Sequence, residues 1–211
     1  MRRFVETEPA RLADLIQSAG ATLPCSPVGD SLVLAGPSEL LSGSRAALLC
    51  SAEAPGDAIL RSHDAARYLR DVKQTVISGF HSPIEKECLR ILLRGRQPII
   101  ICPARAIENM RIPRECRPAF DAGRILFLSP FQDKPRRVTR ESAKRRNEIV
   151  AALADAAFIP HITPNGETER IAELLKKWEI PIAMSLDELK TFPLLAISDA
   201  STRAATSEED V

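Results

Sequence analysis

From Ala46 onward the chain alternates short apolar runs with segments of helical period, and this alternation restricts its fold more than any other feature. The runs are AALLCS, QTVISG, QPIIIC, RILFLS, AAFIPHI and IPIAMS. Stretches of roughly ten to twenty residues lie between them, long enough for crossover helices. Runs that are apolar at consecutive positions belong to strands covered on both faces. The expected fold is therefore α/β, a parallel sheet of about six strands with helices on both faces. Ligands of such a sheet bind beyond the carboxyl ends of its strands, so the loops that follow the runs are where function is sought.

The rest of the chain divides around this core. Residues 8 to 20, EPARLADLIQSAG, read as one amphipathic helix ending at Gly20, and SLVLAGPSELL reads as a short strand and turn. The polar end, SDASTRAATSEEDV, has no apolar period and reads as a disordered tail. The expected organisation is a helical extension over 1–30, a core domain over 31–190 and a tail over 191–211. With 45% hydrophobic and 27% charged residues, and no apolar run long enough to span a bilayer, the composition is that of a soluble cytoplasmic protein without membrane partners. Cys25, Cys50, Cys88, Cys102 and Cys116 are odd in number and never spaced Cys-x-x-Cys, so they read as free thiols, with neither a disulfide nor a metal site.

Four loops carry candidate binding residues. The segment VISGFHSPIEKECL places the Ser78-Gly79 turn, His81 and a helix start in succession, with Ser82 at the N-cap, Pro83 at the first helical position and Glu85 three residues after the cap. Such an end offers backbone N–H groups and a positive dipole to an anion, unless Ser82 and Glu85 satisfy those groups themselves. CSAEAPGD, containing Ser51, follows the first core strand and leads through a Pro55-Gly56 turn. In CPAR, Arg105 stands just past a strand end, as a ligand clamp or as a solvated side chain. In HITPNGETER, Gly166 and Thr168 follow a turn that faces an anion or simply caps a helix. None of these loops is a GxGxxG or P-loop sequence, and no cofactor is expected from them.

Residues 131 to 147, FQDKPRRVTRESAKRRN, concentrate positive charge in a chain whose net charge is only +1. Lys134, Arg136, Arg137, Arg140, Lys144, Arg145 and Arg146 are opposed there by Asp133 and Glu141 alone. Arg146 lies three residues before Ile149 and seven before Leu153, so it shares their inward side of the helix. An inward arginine near a helix start needs a partner or a ligand. The other cations project elsewhere, as a phosphate-contacting surface or as a solvated face.

Taken in order, several of these motifs resemble the DNA-processing protein A family, DprA or Smf, of the Rossmann-like superfamily that also includes the cytokinin-activating phosphoribohydrolases. LVLAGPSELL is similar to the family's lead-in, and ALLCSAEAPGD stands in the place of its Val-Gly-Ser-Arg loop. VISGFHSPIEKECL is similar to its Ser-Gly-x-x-x-Gly-Ile-Asp segment, RRNEIVAALAD to its Arg-Asn-Arg helix, and PNGETE to its Ser-Gly turn. The matched positions are Ser51, Ser78, Gly79, Ile84, Arg146, Asn147 and Gly166, with Glu85 for the family's Asp. The chain departs from the pattern at Ala52 and Glu148, where the family has arginines, at Pro83, where it has glycine, and at Leu89, where it has histidine.

The resemblance implies a Rossmann-like fold and a non-enzymatic protein that binds single-stranded DNA in a basic pocket, self-associates as a homodimer and hands the DNA to a recombinase. Arg105, Arg146, Asn147 and the helix end at Ser82 would line that pocket. The alternative is a nucleotide-derived small ligand, bound or hydrolysed. PNGETER keeps Pro164, Gly166 and Thr168 of the phosphoribohydrolase motif but lacks its second glycine, and no glutamate among Glu85, Glu167 and Glu169 stands out as an acid-base group. A third class is a sensor or interaction module in a genome-maintenance or defence system.

Overall fold

The structure, a computed structural model, describes residues 8–11, 31–51 and 53–192. Its strands are β1 (Glu8–Arg11), β2 (Ser31–Ala35), β3 (Arg45–Leu48), β4 (Thr75–Ser78), β5 (Ile99–Ile101), β6 (Ile125–Ser129), β7 (Ala156–Phe158) and β8 (Ile182–Ala183). The helices are α1 (Gly56–Asp71), α2 (Pro83–Leu93), α3 (Arg117–Asp121), α4 (Arg140–Ala152), α5 (Glu167–Lys177) and α6 (Leu186–Lys190), with a 3-10 turn at Ser38–Leu41.

The eight strands form one sheet in the order β1-β2-β6-β5-β4-β3-β7-β8. The six apolar runs supply β3 to β8, and every pairing among these six is parallel. Ahead of them, β2 pairs antiparallel with β6, and β1 pairs antiparallel with β2. The helix expected from residue 8 therefore does not begin there, because Glu8 to Arg11 are extended against Ala10↔Leu32 and its neighbouring pairs. The remainder of that expected helix, residues 12 to 20, and the expected tail beyond residue 192 lie outside the described residues.

Side chains leave successive strand positions on opposite faces, which explains the unbroken apolar runs. Ile99, Ile101, Ile125 and Phe127 join one core with Ala65 and Leu69 of α1 and Ile84, Cys88 and Leu92 of α2. Ile100, Leu126 and Leu128 join the other with Ile149 and Val150 of α4 and Ile171 and Leu175 of α5. Each isoleucine so buried contributes about 1.5–3 kcal/mol.

The chain proceeds outward from β3 through β4 and β5 to β6, then crosses over through α4 to β7 on the other side of β3. The strand order thus reverses between β3 and β7. Loops leaving two such strands diverge to opposite faces and open a crevice at their carboxyl ends.

Candidate nucleic-acid interface

The crevice is present as a cleft of about 640 Å³ whose wall includes Ser51, Glu85, Arg146, Asn147, Thr163 and Glu167. Ser51 comes from the loop after β3, Glu85 from α2, Arg146 and Asn147 from α4, and Thr163 and Glu167 from the connection of β7 to α5. The Thr163 hydroxyl and the Ser51 hydroxyl are 2.9 Å apart, which ties the two loops together across the switch point.

The helix end at Ser82 holds its own carboxylate. Ser82 accepts the Glu85 N–H at 3.1 Å, while Glu85 Oε2 accepts the N–H groups of His81 at 2.7 Å and Ser82 at 3.2 Å. Glu85 Oε1 accepts the Cys50 N–H at 3.1 Å, so this buried side chain also anchors the loop after β3. The capping box is complete, and the N–H groups of His81, Ser82 and Glu85 are already satisfied. The turn before it is equally determined: buried Ser78 accepts the Phe80 N–H at 3.2 Å, and Phe80 has a left-handed backbone with φ of 46°.

Arg146 is the cation inside the cleft. Its side chain is only 5% exposed, as its inward position on α4 requires. Nε donates to Asn147 Oδ1 at 2.7 Å, and Nη1 makes a long contact of 3.5 Å to the Cys102 carbonyl. Among the described residues no carboxylate forms an ion pair with it. A guanidinium in this setting keeps charge and donors available to a ligand.

Asn147 passes the order of this side chain to α5. Its Nδ2 donates to Glu167 Oε1 at 3.1 Å, and Arg170 donates to both oxygens of Glu167 and to Glu148. Burial by itself would raise the Glu167 carboxyl, but bonds from Arg170 and Asn147, with the charges of Arg170 and Lys144, hold it below its ordinary value. Glu148, one of the departures from the resembled pattern, thus serves as a partner of Arg170.

The other expected site residues are distributed unevenly. His81 and Ser82 stand on the cleft wall, and Gly166 and Thr168 on the facing side. Thr168 Oγ1 already accepts the Thr163 N–H at 2.9 Å, so its role there is to shape the turn. Gly79 lies directly beneath the Arg146 guanidinium. Lys134, Arg136, Arg137, Arg140 and Lys144 are exposed and Arg145 half-buried, and none of the six has an ion-pair partner among the described residues. Arg140 reaches the cleft rim. Arg105, expected beside Arg146, instead lines a separate cleft with Arg136. The helix start at Thr139 and Ser142, a second capping box, positions Arg140 and Arg146 and was not singled out in the sequence. Thr163 and Arg170 were missed as well, for their partners Ser51 and Glu148 lie far along the chain.

Among the described residues no group of three His, Cys, Asp or Glu side chains suits a metal ion. Cys50, Cys88, Cys102 and Cys116 are free and buried, while Cys25 lies outside the described residues. A hydrogen bond with Cys88 and burial push the Cys50 thiol up, and burial takes Cys102 to about 12 against the opposing charge of Arg146. No described helix is long and apolar enough to cross a membrane.

No family model matches the chain, and no curated protein matches it. Solved structures do. DNA processing protein A from Helicobacter pylori, studied for its single-stranded DNA binding mode, superposes with a TM-score of 0.66 at 16% identity, over 97% of this chain and 99% of its own. DNA processing protein A from Streptococcus pneumoniae superposes with a TM-score of 0.66 at 13% identity, over 96% of this chain and 70% of its own. At these identities the likeness is one of fold: the chain shares the Rossmann-like architecture of DNA processing protein A, as the ordered motifs led one to expect.

Proposed function

We propose that the chain binds single-stranded DNA, with a backbone phosphate seated in the cleft on Arg146 and further phosphates on the exposed cations around Arg140. The observation that carries this reading is the buried Arg146 guanidinium, which faces the cleft without a carboxylate partner among the described residues. A phosphodiester supplies the charge that is missing there and accepts bonds from the guanidinium fork. The unpaired cations of residues 134 to 145 add sequence-independent, salt-sensitive attraction. The shared fold with a protein studied for single-stranded DNA binding supports the same reading. The proposal is of binding without turnover by a core unit of residues 31–190, and it extends to self-association and to delivery of the strand to a recombinase.

Fluorescence anisotropy with a labelled oligothymidine across a salt series tests it. Affinity falls steeply with salt for the unaltered protein, and Arg146→Ala weakens binding about tenfold or more. Absence of binding at low salt overturns the proposal.

A second reading is favoured by the shape of the cleft. Its volume of about 640 Å³ is in the range of small-molecule sites, and Glu53, Glu85 and Glu167 share its wall with Arg146. A nucleotide-derived ligand retained in native mass spectrometry, together with no binding of DNA, would favour that reading.

A further inference from the structure

The cleft that contains Arg105 has no place in the reading above. It measures about 320 Å³ and is lined by the guanidinium-bearing side chains of Arg105, Arg111 and Arg136, with Glu108 and Asp133 also on its wall. All three arginines are exposed, and none has an ion-pair partner among the described residues. Arg111 carried no signal in the sequence.

The two loops that bring these arginines together are tied to one another and to the core. The Ser129 hydroxyl donates to the Arg105 carbonyl at 2.8 Å, and the Ala106 N–H donates to the Pro135 carbonyl at 2.9 Å. Phe131 N–H donates to Ser129 Oγ at 3.1 Å. Ala104, Ile107, Met110 and Ile112 are buried, so the backbone between Arg105 and Arg111 is pinned on the core side. The three charges are therefore presented from a preorganised platform, which lowers the ordering cost of binding.

The position of the platform indicates what it receives. Arg136 lines this cleft and Arg140 the main one, and four residues of chain span at most about 14 Å. The groove along α5, which Arg140 also lines, sets Glu167, Glu169 and Glu173 against Arg140, Lys144 and Arg170, so its wall offers a polyanion no net positive charge. A strand leaving Arg146 across Arg140 thus meets an excess of positive charge at the second cleft and a balanced wall along α5. The wall of the second cleft carries three positive groups against two negative ones, a balance that suits one phosphodiester of a continuous strand better than a free polyphosphate.

We propose that Arg105, Arg111 and Arg136 form a second phosphate site, which holds single-stranded DNA as it leaves the Arg146 cleft across Arg140. This inference rests on the proposed DNA binding and adds the direction and extent of the strand.

The test compares the full chain with an Arg105→Ala, Arg111→Ala double variant, using a long and a very short oligothymidine. The lengths are about 12 and about 3 nucleotides, within and below the range of about 4–16 nucleotides that such sites occupy. For the long oligonucleotide the variant is expected to lose about 1.4 from the slope of log affinity against log salt, from two phosphate contacts at about 0.7 each. Binding of the short oligonucleotide is expected to stay at the level of the unaltered protein. An unchanged slope and affinity for the long oligonucleotide would overturn the second site while leaving the Arg146 reading intact. Equal losses for both lengths would also overturn it, since they place Arg105 and Arg111 within the main cleft or show a damaged fold. If the unaltered protein binds neither oligonucleotide, the DNA reading itself falls and the second site with it.

Discussion

A β-carbon built on Gly79 would lie 1.4 Å from Nη1 of Arg146 and 2.1 Å from its Cζ. The absence of a side chain at the end of β4 is therefore what gives the guanidinium its place on the cleft floor. Because Arg146 is a flexible side chain, a methyl group at Gly79 displaces the guanidinium rather than the backbone.

Gly79→Ala is accordingly expected to reproduce the binding loss of Arg146→Ala, about tenfold or more, through a residue that offers no charge to the ligand. Its stability should change little, because the guanidinium it evicts has no carboxylate partner among the described residues. Anisotropy and urea unfolding on the same samples check both halves. Full affinity in the alanine variant would show that the charge at Arg146 can act from another position.

Glu85 makes the opposite case, a carboxylate on the cleft wall whose bonds are structural. Its two oxygens accept the N–H groups of Cys50, His81 and Ser82. Glu85→Ala removes the acceptor from all three and is expected to cost about 2–3 kcal/mol of unfolding free energy. Glu85→Gln, which keeps one carbonyl acceptor, should lose roughly half as much. Urea denaturation midpoints read the difference, and equal midpoints for all three proteins would mean that water takes the place of the carboxylate at no cost.

The Glu167 carboxyl, held low chiefly by Arg170 and Asn147 against the opposing effect of burial, gives a prediction in pH. A carboxyl whose value is lower in the folded than in the unfolded chain stabilises the fold above the unfolded value. That contribution is lost as pH falls through the lower, folded value. Glu167→Gln should therefore be less stable than the unaltered protein at neutral pH, and the gap should narrow on going from about pH 5 to about pH 3. Thermal melts of the two proteins at several pH values measure it. A gap that persists at acid pH would assign the effect to packing instead of charge.

Much of the fold was legible because its causes are local. Consecutive apolar residues such as Ile99 to Ile101 identify a strand with two covered faces, and the Ser82, Pro83, Glu85 pattern identifies a helix start from four residues. Arg146 was legible for the same reason, since its spacing from Ile149 and Leu153 places it on the inward side of one helix. Glu8 to Arg11 were misread because a strand at a sheet edge owes its shape to its neighbour, here β2, more than to its own periodicity.

The sequence by itself determined the alternation of strands and helices, the capping of α2 and the inward direction of Arg146, all of which depend on contacts within one turn or one strand. Tertiary structure alone decided what those residues meet. That the capping carboxylate of Glu85 also anchors the loop after β3 depended on its reach to Cys50, thirty-five positions earlier. The network of Glu167, Arg170 and Glu148 likewise exists only because α4 and α5 pack on the same face of the sheet. Arg105 follows the end of β5, two strands away from the switch between β3 and β7, whereas α4 carries Arg146 back across the sheet to that switch, so the two belong to different clefts. Strand order is set by the summed burial of both sheet faces, a property of the assembled chain that no single loop records.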